Sequence, residues 1–148
     1  MRVLSLLLLM ILPLGACRSA RPPQQPAVPL TVRLAGSPDL NGGNAAFIHV
    51  FQLSDNASFR SAPYEAFWQS PDQALGGSML SANQVQLFPS SMEELRLELS
   101  PDVRFIGVAA NLRDPDPDRW RTVYSVDDLR GNNLQVTIGS DSVSSEVQ

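Results

Sequence analysis

The chain has 148 residues, 43% of them hydrophobic and 18% charged, with eleven cations against fifteen acids and a single cysteine. A net charge of −4 argues against nucleic acid, which requires a basic patch, and one cysteine excludes an internal disulfide framework, so packing must hold the fold.

Arg2 supplies a positive start, and Val3 to Leu14 is apolar apart from Ser5. That length suits a signal-peptide core and is too short to span a bilayer. Leu14-Gly15-Ala16-Cys17 follows, with a branched apolar residue three positions before the cysteine and two small residues beside it. The stretch resembles the lipobox of bacterial lipoproteins. The resemblance implies a signal over residues 1–16, cleavage between Ala16 and Cys17, and acylation of Cys17. An ordinary secretory signal cut after Ala16 would instead leave a lone thiol, which is unusual in an exported protein. Arg18 stands where lipoproteins retained in the inner membrane commonly carry Asp, so the expected address is the outer membrane, on its periplasmic face. Without Arg2 the net charge becomes −5. Residues 17–29 hold Pro22, Pro23, Pro26 and Pro29, a composition that favours an extended spacer over a packed element.

A domain is expected over residues 30–139. Leu30, Val32 and Leu34 alternate with Thr31, Arg33 and Ala35, the pattern of a half-buried strand. Gly36 to Asn44 is rich in turn residues. Ala46 to Leu53 reads as a strand apolar on both faces, with Ile48 and Val50 on one and Phe47, Phe51 and Leu53 on the other, which places it inside a sheet. A helical insertion is expected at about 61–76. Tyr64, Phe67 and Trp68 are spaced for one helix face, Pro63 suits a first helical position, and Ser70-Pro71-Asp72-Gln73 suits a capping box. Strands then recur around Val85 and Leu87, over Leu95, Leu97 and Leu99, from Phe105 to Leu112, over Trp120 to Tyr124, and at Leu134, Val136 and Ile138. Gly107 and Ala109 are small on one face, which lets another element pack closely. Residues 140–148 read as a polar, frayed tail. About seven strands with a small helical insertion predict an all-β, two-sheet antiparallel β-sandwich.

Chemistry is sparse. His49, the single histidine, lies inside a strand with no second histidine and no Gly-x-Ser-x-Gly elbow, so it reads as a strand residue rather than a base. Asp114, Asp116 and Asp118 have the opening spacing of a calcium loop, but Arg119 and Ser125 stand where its glycine and glutamate belong. No catalytic residue, metal site or cofactor is expected. Trp120 reads as a core anchor rather than a ligand platform.

In their order along the chain these pieces resemble the TssJ family (VasD/SciN-like), outer-membrane lipoproteins of type VI secretion systems. The residues carrying the resemblance are Leu40-Asn41, Phe47 to Leu53, Phe59, Tyr64 to Trp68, Leu75-Gly76, and above all Arg104 to Asp114 with Trp120-Arg121. Asn133 and the strand from Leu134 to Ile138 complete it. His49, Asn111-Leu112 and Ser90-Ser91-Met92 depart from the family pattern. The resemblance implies a transthyretin-like sandwich that docks the periplasmic C-terminal domain of the inner-membrane protein TssM within a multi-protein membrane complex. It assigns the contact to the first inter-strand loop, with Asp39, Leu40, Asn41, Gly42 and Gly43 as candidates. The alternative is an envelope lipoprotein that binds carbohydrate or another periplasmic ligand through Tyr64, Trp68 and Trp120, which requires those rings to be exposed.

Overall fold

The computed structural model describes residues 26–129, 131 and 133–147. The signal, Cys17 and most of the proline-rich segment lie outside the described residues. Eight strands form two four-stranded sheets: β1 (Val28–Gly36), β2 (Ala46–Leu53), β3 (Met79–Leu87), β4 (Met92–Leu99), β5 (Phe105–Asn111), β6 (Arg121–Ser125), β7 (Leu134–Ile138) and β8 (Val143–Val147). One sheet has the order β4-β1-β7-β8 and the other β3-β2-β5-β6. All pairings are antiparallel except β1 with β7, which run parallel with Val32 opposite Leu134 and Leu34 opposite Val136.

The alternating residues of β1, β4 and β7 meet the inner face of β2 and β5. Val32, Leu34, Ile48, Val50, Val108 and Val136 are all fully buried there. Each such side chain contributes about 1.5–3 kcal/mol by leaving water. The other face of β2 and β5 is covered by three short helices, α1 (Ala57–Ser61), α2 (Tyr64–Gln69) and α3 (Pro71–Leu75). Under them lies a second, aromatic core of Phe51, Phe59, Phe67, Leu75 and Trp120. This second layer is why β2 and β5 are apolar on both faces.

Several expectations need correction. The insertion holds three helices and starts at Ala57 rather than near 61. Ser70 makes no side-chain cap bond, and Pro63 is the N-cap of α2, one position before its first turn. Ser70 alone separates α2 from α3 and caps both helices, and the capping-box geometry is not formed. The polar tail is strand β8, which extends the domain to Val147. Its Ser144 and Glu146 face solvent while Val143 is buried, and pairing with β7 satisfies the backbone that composition alone left open. β1 begins at Val28, so the last two residues assigned to the tether belong to the sheet.

Gly107 shows the close approach expected of it. A Cβ built there would lie 2.8 Å from Cζ of Phe59, whose ring lies directly against the strand. Gly107→Ala is therefore expected to lower stability by about 1–3 kcal/mol, because Phe59 must leave a packed position. Urea unfolding tests this, and a midpoint equal to that of the parent would mean α1 does not sit against β5.

Candidate functional site

Strand directions gather four connections at one end of the sandwich: residues 37–45, 88–91, 112–120 and 139–142. Val28, where the chain joins from the N-terminal segment, lies at the other end, a strand of about 30 Å away.

The 37–45 loop is a built object rather than a solvated connector. Leu40 is fully buried and plugs the main core, which corrects its assignment as a contact residue. A short 3-10 turn spans Leu40–Gly42, with Asn41, Gly42 and Gly43 at φ of 48°, 65° and 83°. Glycine tolerates that left-handed backbone without cost, and asparagine is the residue that most readily joins it. Asn41 is the hub. Its N–H donates to the Gly139 carbonyl at 3.1 Å, its Nδ2 donates to the Ala45 carbonyl at 2.9 Å, and its Oδ1 accepts the Arg113 N–H at 2.7 Å. One residue, through its backbone N–H and its side-chain oxygen, thus joins the loop to two other connections. Asn44 Nδ2 donates to the Asn41 and Gly42 carbonyls, both at 3.2 Å, and Ser37 Oγ donates to Asp39 Oδ1 at 2.5 Å. Asp39, Gly42 and Gly43 remain exposed.

Beside the loop lies a cleft of about 310 Å³ lined by Asn41, Gly42, Arg113, Asp114, Ser140 and Asp141. Asp116 N–H donates to the Asp141 carbonyl at 2.8 Å, and Asp116 pairs with Arg119 at 2.9 Å. The Asp118 N–H, then the Arg119 guanidinium, hold the Asp116 carboxyl below the usual carboxylate range. Among the described residues no group of three or more His, Cys, Asp or Glu side chains is placed to hold a metal ion.

The aromatic residues considered for a ligand platform sit elsewhere. Trp120 is 1% exposed, between Tyr64 and Phe67 at ring distances of 5.1 Å, with the Arg121 guanidinium 4.3 Å from its ring centre. Tyr64 and Trp68 are half-buried edge-to-face neighbours. Tyr64 Oη donates to the Leu112 carbonyl at 2.6 Å and accepts from its N–H at 2.9 Å. These rings hold the helical layer and offer no flat exposed face. His49 stands against Trp68 at 5.0 Å; burial pushes its pKa below the ordinary histidine value, partly opposed by a hydrogen bond with Gln84.

Sequence reasoning found the loop but missed the role of Asn41 and the contribution of Arg113, Asp114, Ser140 and Asp141. A lone Asn among glycines was the available signal, since it marks a left-handed position with a side chain able to bond locally.

Fold and site together define a two-sheet sandwich with a helical cap and a preorganised loop cluster at one end. The chain belongs to the type VI secretion lipoprotein family (VasD, EvfM, TssJ), whose model matches residues 28–141. Among solved structures it is similar in fold to the lipoprotein TssJ1 of Pseudomonas aeruginosa, with a TM-score of 0.75, 23% identity, and coverage of 83% of this chain and 98% of that one. It is likewise similar to Serratia marcescens Lip, a membrane-bound component of the type VI secretion system, with a TM-score of 0.73, 19% identity, and coverage of 84% and 99%. A chain in a structure described as the type VI secretion protein TssM C-terminal domain (869-1107) from EAEC matches with a TM-score of 0.72, 23% identity, and coverage of 80% and 97%. Comparison with curated proteins returned no match.

Proposed function

We propose that this lipoprotein is a non-enzymatic anchor, held by acylated Cys17 on the periplasmic face of the outer membrane, that docks the periplasmic C-terminal domain of TssM through its loop end. Residues 1–16 act as the signal, and the segment from Cys17 to about Ala27 spaces the sandwich from the lipid. The observation that carries the reading is the Asn41-locked loop, preorganised with Arg113 and the 139–142 connection at the end away from the N-terminal segment. A loop already ordered in the free protein loses little entropy on binding. Family membership and the kinship in fold with a chain from a TssM-containing structure support the choice of partner.

Asp39, Asp114 and Asp118 are exposed at this end, against two arginines, Arg113 and Arg119, of which Arg119 is paired with Asp116, so acids outnumber cations there. The matching surface of the partner is therefore basic, and binding weakens as salt rises. Asp39→Arg with Asp114→Arg is expected to reduce affinity for the purified TssM domain at least about tenfold, or ~1.4 kcal/mol, while thermal unfolding stays unchanged. Unaltered affinity in the double variant would move the interface elsewhere. Deleting Leu40 and Asn41 is not an equivalent test, because it removes a core side chain and three loop-locking bonds.

A further inference from the structure

We propose that Tyr64 is a positioning residue for the docking loop: its hydroxyl orients the peptide that joins Leu112 to Arg113, and through that peptide it holds Asn41. The proposal rests on the reading of the 37–45 loop as the docking surface. The β2–β5 ladder ends at the Phe47–Asn111 pair, so Leu112 lies one residue past it. Leu112 is 3% exposed, and its backbone N–H and carbonyl must find partners inside the protein. Tyr64 Oη serves both, donating to the carbonyl at 2.6 Å and accepting the N–H at 2.9 Å, with Asn111 Oδ1 3.1 Å away. One side-chain hydroxyl, 48 residues away in the chain, thus stands where a neighbouring strand would otherwise be.

The Leu112 carbonyl belongs to the same planar peptide group as the Arg113 N–H, and that N–H donates to Asn41 Oδ1 at 2.7 Å. The bonds therefore run in series: Tyr64 O–H to the Leu112 carbonyl, then Arg113 N–H to Asn41 Oδ1. A carbonyl that accepts a hydrogen bond makes the amide of its own peptide a better donor, and a planar group fixed on one side is fixed on the other. Asn41 needs that hold, because its φ of 48° is a conformation most residues with a side chain avoid. Tyr64 is itself well placed to supply it. It is the first residue of α2, its ring lies edge-to-face 5.1 Å from Trp120 and 6.2 Å from Trp68, and Phe67, one turn on, is fully buried. The helical layer thus sets the shape of the loop through one peptide, and Tyr64 needs no contact with the partner to do so.

The test uses the full acylated chain, purified in detergent, and Tyr64→Phe, which keeps the ring between Trp120 and Trp68 and removes only the hydroxyl. Ile106→Val, a core change near the opposite end of β5, controls for a general loss of stability. Amide hydrogen exchange of Arg113 and Asn41 is read in the free protein, and affinity for the purified TssM domain is read beside it. Tyr64→Phe is expected to speed both amides at least about tenfold through local opening, and Ile106→Val to leave them unchanged. Affinity is expected to fall about fivefold in Tyr64→Phe and to stay at the parent value in Ile106→Val. Asn41→Gly keeps the left-handed backbone but removes Oδ1. In that background Tyr64→Phe is expected to change affinity less than about twofold, since the residue it acts through is gone. Unchanged exchange in Tyr64→Phe, full affinity in Tyr64→Phe, equal losses in Ile106→Val, or additive losses in the double variant would overturn the proposal. A parent chain that binds no TssM domain would instead remove the docking reading, and the exchange rates alone would then decide whether Tyr64 orders the loop.

Discussion

Alanine at Trp120 is expected to destabilise the protein by about 3–5 kcal/mol, a large share of the total stability of a domain this size. The indole is 1% exposed and joins the helical layer to the sheet, with Tyr64 and Phe67 at 5.1 Å and the Arg121 guanidinium at 4.3 Å. Arg121 itself is held by donating to the Ala62 carbonyl at 2.7 Å and to the Arg60 carbonyl, so it closes over the ring and ties the end of α1 to β6. Removing the ring leaves a cavity that helices of five and six residues cannot fill by sliding, because Phe59 and Phe67 already fix them against Phe51 of β2. Trp68 makes a useful contrast and remains as the fluorescent reporter. Its Nε1 is buried without a partner among the described residues, so Trp68→Phe removes an unsatisfied donor and is expected to cost far less than Trp120→Ala. Denaturant unfolding measures both. A loss below about 1 kcal/mol for Trp120→Ala would show that the aromatic layer is not a core.

Cys17→Ser is expected to move the protein from the outer-membrane fraction to the soluble periplasm and to stop type VI secretion. Each buried methylene contributes about 0.8 kcal/mol, so the acyl chains of a lipidated cysteine supply the anchoring that the Ser variant lacks. The described part of the chain contains no helix long and apolar enough to cross a membrane, so it offers no second anchor of that kind. Fractionation with a secretion assay reads both consequences. Full outer-membrane recovery and full secretion by the Ser variant would remove lipidation from the account. Release without loss of secretion would separate anchoring from the machine.

Legibility differed by element. β5 could be read almost to its ends, because Phe105 to Leu112 is apolar with small residues on one face, and Gly107 marked where a ring would lie. β7 was equally clear from Leu134, Val136 and Ile138, all fully buried. β8 was not, since Val143-Ser144-Ser145-Glu146-Val147 has the composition of a tail and becomes a strand only because β7 offers it an edge. Within the candidate site, turn chemistry marked the loop, the family resemblance named Asp39, Gly42 and Gly43 in it, and all three are exposed. Leu40 was assigned to the contact by the same resemblance, but its side chain is fully buried, and only the assembled core shows that.

Local pattern by itself determined the strand periodicity, the apolar double face of β2 and β5 and the helical insertion. These follow from side-chain period and residue chemistry, which need no knowledge of neighbours. Only the tertiary structure decided the parallel pairing of β1 with β7, the burial of Leu40 and the Asn41–Arg113 link. Each of those joins residues far apart in the chain, and the cost of closing such loops is recovered only when both sheets have met.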